Sequence, residues 1–264
     1  MPISAQPEIE PSQLLRQYFD SMLQKFGPQR WWPAQTRLEV ILGAILTQNT
    51  SWQNAAMGIK ELRRRGLLTM NGLKRARRDE IEAAVRSAGF YRQKTRTIRN
   101  FLAWLGKTCG GSLACMFRRP ADQLRRELLE ICGLGPETVD AILLYAGGFP
   151  SFVADAYTRR ILSRHGLISE GARYEQAHDF LHSHLPADAQ LFNEFHALLV
   201  ETGKRHCLRS VPDCHGCPLE RFLPEAHRQV TEREPGSIRK ANGLRIPLGA
   251  IMPARNGRIG PETA

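Results

Sequence analysis

Several groups of residues in this 264-residue chain have types and spacings that could do chemistry. The first is Gly133-Leu134-Gly135, followed by Pro136, within LLEICGLGPETVDAILLYAGG at 128–148. Two glycines permit backbone geometry closed to other residues and let another backbone approach closely. Pro136 stands where a first helical turn tolerates it. Such a loop can present amide N–H groups to a phosphate oxygen. Equally, the glycines could merely turn the corner of an αα-hairpin, with Leu134 packed inward to lock the two helices. The second group is Asp155, in FVADAYTRRI at 152–161, where a carboxylate caps the helix that follows. The third is Arg30-Trp31-Trp32-Pro33. Adjacent indoles are costly to expose, so at least one is expected to be buried; an indole face also attracts a cationic ring. The fourth is the polar turn Gln48-Asn49-Thr50, whose side chains could simply face water. The last is Cys207, Cys214 and Cys217, spaced C-x6-C-x2-C, which is hard to explain as three core cysteines.

The elements that must position these groups read as helices throughout. Leu15, Phe19, Met22 and Phe26 recur at helical spacing and stop at Gly27-Pro28. An apolar helix covers Leu38 to Leu46, and another carries Ala56, Ile59 and Leu62. Further helices are expected over 79–88, 97–105, 120–131, 136–146, 156–165, 173–184 and 188–204. No alternating apolar/polar run is long enough for a strand, so the fold class is all-α. Residues 228–264 change character, being basic and rich in Gly and Pro around the apolar stretch LRIPLGAIM, and form either a tail or a strap on the body.

Composition narrows the partners. Lys plus Arg number 37 against 26 Asp plus Glu, a formal net charge of +11, which favours a polyanion such as nucleic acid. Seven of the 37 are lysines, at 25, 60, 74, 94, 107, 204 and 240, leaving 30 arginines, the side chain whose planar fork suits phosphate. A codon bias toward Arg would raise that ratio too, but would not create the net charge. There is no apolar run of membrane-spanning length and no secretory signal at the amino terminus, so a soluble cytosolic protein is expected, without disulfides.

The hairpin at 128–148, the following FVADAYTRRI and the upstream ILGAILTQNTSW at 41–52 keep an order and spacing that, together, resemble the helix-hairpin-helix DNA glycosylase superfamily that includes endonuclease III. The resemblance covers roughly residues 12–223. It implies an all-α fold of two domains with duplex DNA held between them, the chain acting as a monomer. One domain would be a helical barrel at 36–147, the other built from 1–35 and 148–227. Asp155 matches the family's catalytic aspartate, which stabilises the positive sugar formed when an N-glycosidic bond is cleaved. Gly133, Leu134 and Gly135 would bind DNA phosphate. Gln48 matches the residue that enters the space left by a flipped base, and Asn49 and Thr50 would help hold the opposite strand.

Two departures sharpen the expectation. Members that also cut the DNA backbone carry a lysine two residues after the second glycine, as the amine nucleophile of a Schiff base. Here that position is Glu137, which cannot form an imine, and no other lysine lies in the hairpin. A monofunctional glycosylase is expected. Trp31-Trp32-Pro33 followed by LTQNT looks like the 3-methyladenine glycosylase branch, with the indoles as walls for a cationic alkylated purine. Lys204, in ETGKRHC, lies where this branch has a lysine near the pocket, though it would also complement a helix C-terminus. The three cysteines resemble the family's iron–sulfur loop, C-x6-C-x2-C-x5-C, but the fourth position is Leu223. Three outcomes stand: a 4Fe-4S cluster with a substitute ligand from His206, His215, Glu220 or His227; zinc on three thiolates and one imidazole; or a loop without metal. The other functional readings are a bifunctional glycosylase/lyase acting on oxidised pyrimidines and a DNA-binding or damage-sensing module without turnover.

Overall fold

The computed structural model describes residues 10–224, and these are helical with no strand among them. The expected strap or tail at 228–264, and His227, lie outside the described residues. Helix α1 (Pro11–Phe26) buries Leu15, Tyr18 and Met22 and ends at Gly27, whose φ of +70° suits glycine. Tyr18, rather than Phe19, occupies the buried face; Phe19 sits beside it, edge-on to Phe195.

Helix α2 (Arg37–Thr47) is the central rod. Thr36 caps it by accepting from the Glu39 N–H at 3.2 Å, and every residue from Leu38 to Leu46 is buried. A helix apolar on all sides must be surrounded by others. Here the neighbours are α3 (Trp52–Arg64), α6 (Tyr91–Cys109) and α9 (Pro136–Ala141) with its π-helical continuation Ile142–Gly147. Between α3 and α6 lie α4 (Met70–Arg75), α5 (Arg78–Ala84) and a 3-10 turn at Arg86–Ala88. After α6 come the short α7 (Leu113–Met116) and α8 (Ala121–Leu129).

The remaining helices, α10 (Ala156–Arg164), α11 (Tyr174–His184) and α12 (Ala189–Arg205), pack together, and α1 closes on α11 and α12. Gly203 permits the tight approach of α12 to α10, since a Cβ there would lie 2.4 Å from Tyr157 Cδ1. Both chain ends of the described region thus meet in one helical cluster. Helix α6 begins six residues before the expected start at Thr97, because its first turns bury polar residues. Lys94, 3% exposed, donates through Nζ to the Leu46 carbonyl at 2.9 Å and the Ala88 carbonyl at 2.6 Å. This ammonium joins the end of α2 to the start of α6.

Candidate active site

The hairpin is formed by α8 and α9. Gly133 has φ +100°, and a Cβ on it would fall 2.1 Å from Thr97 Oγ1, so no other residue fits. Asn100 Nδ2 donates to the Cys132 carbonyl at 2.9 Å, fixing the loop to α6. Leu134 is buried between the helices, as expected. The second glycine departs from expectation. Gly135 has φ −96°, a conformation open to any residue, and nothing lies within 4 Å of a Cβ built on it. Its bare Cα keeps the outer surface of the loop clear.

Behind the hairpin, α9 carries Asp140, which has no exposed surface. Its Oδ1 accepts from Arg125 Nε and Ser151 Oγ, each at 2.7 Å, and its Oδ2 from Arg125 Nη2 at 3.0 Å and the Tyr174 hydroxyl at 2.8 Å. Four bonds satisfy a buried carboxylate, and they join α8, α9, α11 and the segment leading to Asp155.

Asp155 is the N-cap of α10: its Oδ1 accepts from the Thr158 N–H at 2.8 Å. The second oxygen lies 3.6 Å from His196 Nε2, beyond hydrogen-bond length. Burial pushes the Asp155 carboxyl up, but His196 and the Thr158 cap together outweigh it and hold the group below its usual range. The Tyr145 hydroxyl meets His196 Nδ1. Burial, with the charges of Asp155 and Glu194, pushes the Tyr145 phenol well up, so it stays protonated. As a donor to Nδ1 it leaves the Nε2–H of His196 facing Asp155. That Nε2 is buried and has no hydrogen-bond partner among the described residues.

These groups face a cavity of about 560 Å³, the size of a small-ligand site. Trp31, Trp32, Trp52 and Tyr145 wall it, with Trp32 ring-to-ring at 5.4 Å from Trp31, 5.0 Å from Trp52 and 5.1 Å from Tyr145. Both Trp31 and Trp32 are half-buried. Gly43 on α2 gives Trp32 its seat, since a Cβ there would come within 3.1 Å of the indole. Lys204 is exposed and lines the same cavity, as do Thr50 and Gln48. Gln48 caps the end of α2, and its Nε2 donates to the Gly133 carbonyl at 3.0 Å and Thr138 Oγ1 at 2.9 Å. Asn49 stands outside the cavity, exposed, with φ +52°. Glu137, in the first turn of α9, opens into the cavity. Burial by surrounding atoms, then the charge of Asp155, push its carboxyl up, despite His196 and Arg159.

Sequence reasoning missed Trp52, Tyr145 and His196 as site residues, although the first two stand inside the quoted segments. His196 had a signal: it lies two helical repeats before Lys204, and His196, Ala197, Val200, Glu201 and Lys204 form one stripe of α12 along the cavity.

The three loop cysteines are placed together. Cys207, Cys214 and Cys217 line a separate cavity of about 250 Å³, with His165, His206, Glu220 and Leu223. Burial raises the Cys214 thiol and pushes Cys217 up to about 11, so both would give up protons only to a metal. Among the described residues, the set of three potential metal-donor atoms within 4.8 Å of one another is Glu175, His178 and Asp179, so the three sulfurs stand wider apart. Leu223 supplies no donor. His215 is not among the lining residues, whereas His206 is, its Nδ1 lying 3.2 Å from the Asp213 carbonyl.

An all-helical body that sets a glycine hairpin beside a carboxylate at an aromatic-walled cavity has the architecture of a base-excision DNA glycosylase. The chain belongs to the HhH-GPD superfamily of base excision DNA repair proteins, matching it over residues 42–186. It is 40% identical over 212 residues to a protein of Methanocaldococcus jannaschii named as a candidate DNA repair glycosylase, covering 80% of this chain and 96% of that one. It is 27% identical to the endonuclease III of Sulfolobus acidocaldarius over 69% of this chain and 79% of the relative. Its fold is similar to that of an endonuclease III solved in a non-covalent DNA complex (TM-score 0.71, 22% identity, 85% of this chain and 100% of that chain). It is also similar to the H. pylori 3-methyladenine DNA glycosylase bound to 1,N6-ethenoadenine (TM-score 0.65, 24% identity, 75% and 98%). Among the described residues no helix is long and apolar enough to cross a membrane.

Proposed function

We propose that this chain is a monofunctional DNA glycosylase that removes damaged bases, alkylated purines foremost, from duplex DNA. The observation that carries the reading is Asp155 on the wall of a cavity lined by three indoles, with Glu137 at the position where a lyase needs an amine. Gly133, Leu134 and Gly135 seat a backbone phosphate on loop amides. The target base leaves the stack and enters between the indoles, whose electron-rich faces favour a cationic alkylated ring. Gln48, at the mouth, occupies the space left in the duplex, while Asn49 contacts the opposite strand and Lys204 the base. Asp155, ionised, stabilises positive charge on the sugar as the glycosidic bond lengthens, and orients the water that completes hydrolysis. Residues 36–147 form one lobe and 10–35 with 148–224 the other, with DNA between them.

Cys207, Cys214 and Cys217 would hold a 4Fe-4S cluster, with His206 or Glu220, which line the same cavity, as the fourth donor. Such a cluster would brace the loop that follows α12, in a cavity separate from the base cavity. Freshly purified protein should absorb near 400 nm and contain iron and sulfide, and a Cys217→Ser variant should lose both; zinc in their place would refute the assignment.

The functional test is release of bases from duplexes carrying single lesions, assayed with borohydride trapping on abasic DNA. Release of methylated purines without a trapped adduct is the expected result. A trapped adduct would make the enzyme a lyase, and release confined to oxidised pyrimidines would overturn the substrate assignment.

A further inference from the structure

Among the described residues, three carboxyl groups line the cavity: Glu201, which is paired with Arg205, and Asp155 and Glu137, which stand in different surroundings. Asp155 is 13% exposed by side chain, capped by Thr158 and set against His196. Glu137 projects from the first turn of α9 into the same space and has no ion-pair partner among the described residues. A hydrolytic glycosylase has two charges to manage, a positive one on the sugar and a negative one on the departing base. Asp155 meets the first; for the second, Lys204 offers a charge, and Glu137 is the wall carboxyl free of an ion pair that could offer a proton.

We propose that Glu137 is the proton donor to the leaving base, and that this enzyme therefore also excises neutral purine lesions. The inference rests on the glycosylase reading above. As the bond from C1′ to the base nitrogen breaks, its electron pair passes into the purine ring. The Glu137 proton moves to a ring nitrogen, so the base departs neutral and Glu137 becomes a carboxylate. Water adds to C1′ and releases a proton through Asp155 to solvent, and Glu137 takes one back from solvent. A cationic alkylated purine needs no such proton, since the bond pair neutralises its ring. Glu137 thus matters for one charge class of substrate and not the other.

The electrostatics support this division. Asp155 is held below its usual range, while burial and the Asp155 charge lift Glu137, so the two carboxyls are pushed in opposite directions. His196 and Arg159 act against the rise of Glu137, while Tyr174 behind it, Tyr145, Glu201 and Lys204 complete its titratable surroundings.

The test uses the full chain under single-turnover conditions, with 1,N6-ethenoadenine and hypoxanthine as neutral lesions and 7-methylguanine as the cationic one. Glu137→Gln should cut the rate on neutral lesions by about 10²–10⁴-fold, the range of general acid catalysis, and change the cationic rate by no more than about threefold. With neutral lesions the wild-type rate should fall as pH rises through the raised Glu137 titration, and the variant should lose that limb. Equal losses on both classes, no loss on neutral lesions, or a wild type active on the cationic lesion alone would each overturn the proposal. A wild type silent on all purine lesions would overturn the functional reading beneath it.

Discussion

Asp155 caps a helix and, on the proposed function, also does catalysis, and a pair of substitutions can separate the two. Its Oδ1 caps α10 through the Thr158 N–H at 2.8 Å, and its Oδ2 bears charge 3.6 Å from His196 Nε2. Asn caps helices about as well as Asp, so Asp155→Asn keeps the cap and removes the charge; Asp155→Ala removes both, at about 1 kcal/mol of stability for the cap. Two unit charges 3.6 Å apart, the His196 spacing, interact by roughly 4–5 kcal/mol at an effective dielectric of about 20. A sugar cation approaching this carboxylate at similar range feels a pull of that order. Loss of one preorganised electrostatic group commonly costs about 10²–10³-fold in rate, or roughly 3–4 kcal/mol. Single-turnover base release should therefore fall at least about 10²-fold in both variants, while the Tm of Asp155→Asn stays near wild type and that of Asp155→Ala drops by about 2–4 °C. If Asp155→Asn excises at near wild-type rate, Asp155 is only a helix cap and the catalytic assignment fails.

Other consequences can be checked directly. Gly133→Ala should destabilise the protein by about 1–3 kcal/mol in denaturant, because the added Cβ collides with Thr97 at φ +100°, and should weaken duplex binding measured by anisotropy. Asp140→Asn should cost about 1–3 kcal/mol in denaturant, since it removes the buried partner of Arg125 and leaves that guanidinium only the half-exposed Glu175. Gly43→Ala should push the Trp32 indole toward the cavity, raising half-saturation for purine lesions while leaving Tm nearly unchanged. His182 accepts from the Phe152 N–H and burial lowers its pKa from 6.5 to about 4. The unfolded chain binds that proton first, so stability should fall as pH drops from about 6.5 toward 4, and His182→Gln should blunt the slope.

The parts of the site that were legible in the sequence are those whose chemistry is local. A glycine forced to positive φ, a carboxylate at a helix start and paired indoles before a helix each announce themselves within a few residues. The start of helix α6 is hidden in the sequence because Lys94 and Thr95 are polar yet buried, which breaks its apolar period until Thr97. The short α4 and α7, capped by Thr69 and Ser112, are too brief to show a period at all. His196 and Tyr145 are 51 residues apart in sequence, and their contact depends on how α12 meets the π-helical turn. The four-bond environment of Asp140 draws on Arg125, Ser151 and Tyr174, which no local pattern connects.

That environment has a mechanical meaning. With Asp140 clamped from three sides, the hairpin loop and the strand of chain ending at Asp155 cannot shift relative to each other without breaking buried ionic bonds. On the proposed function, the distance between the phosphate anchor and the reactive carboxylate is therefore set before DNA arrives, like the two jaws of a fixed gauge. A duplex presented to such a gauge must bend and unstack until a sugar reaches the second jaw. The DNA bears the distortion, and base pairs that open most easily reach the carboxylate most often. Selection of damage would then begin in the compliance of the helix, before any contact in the cavity distinguishes one base from another.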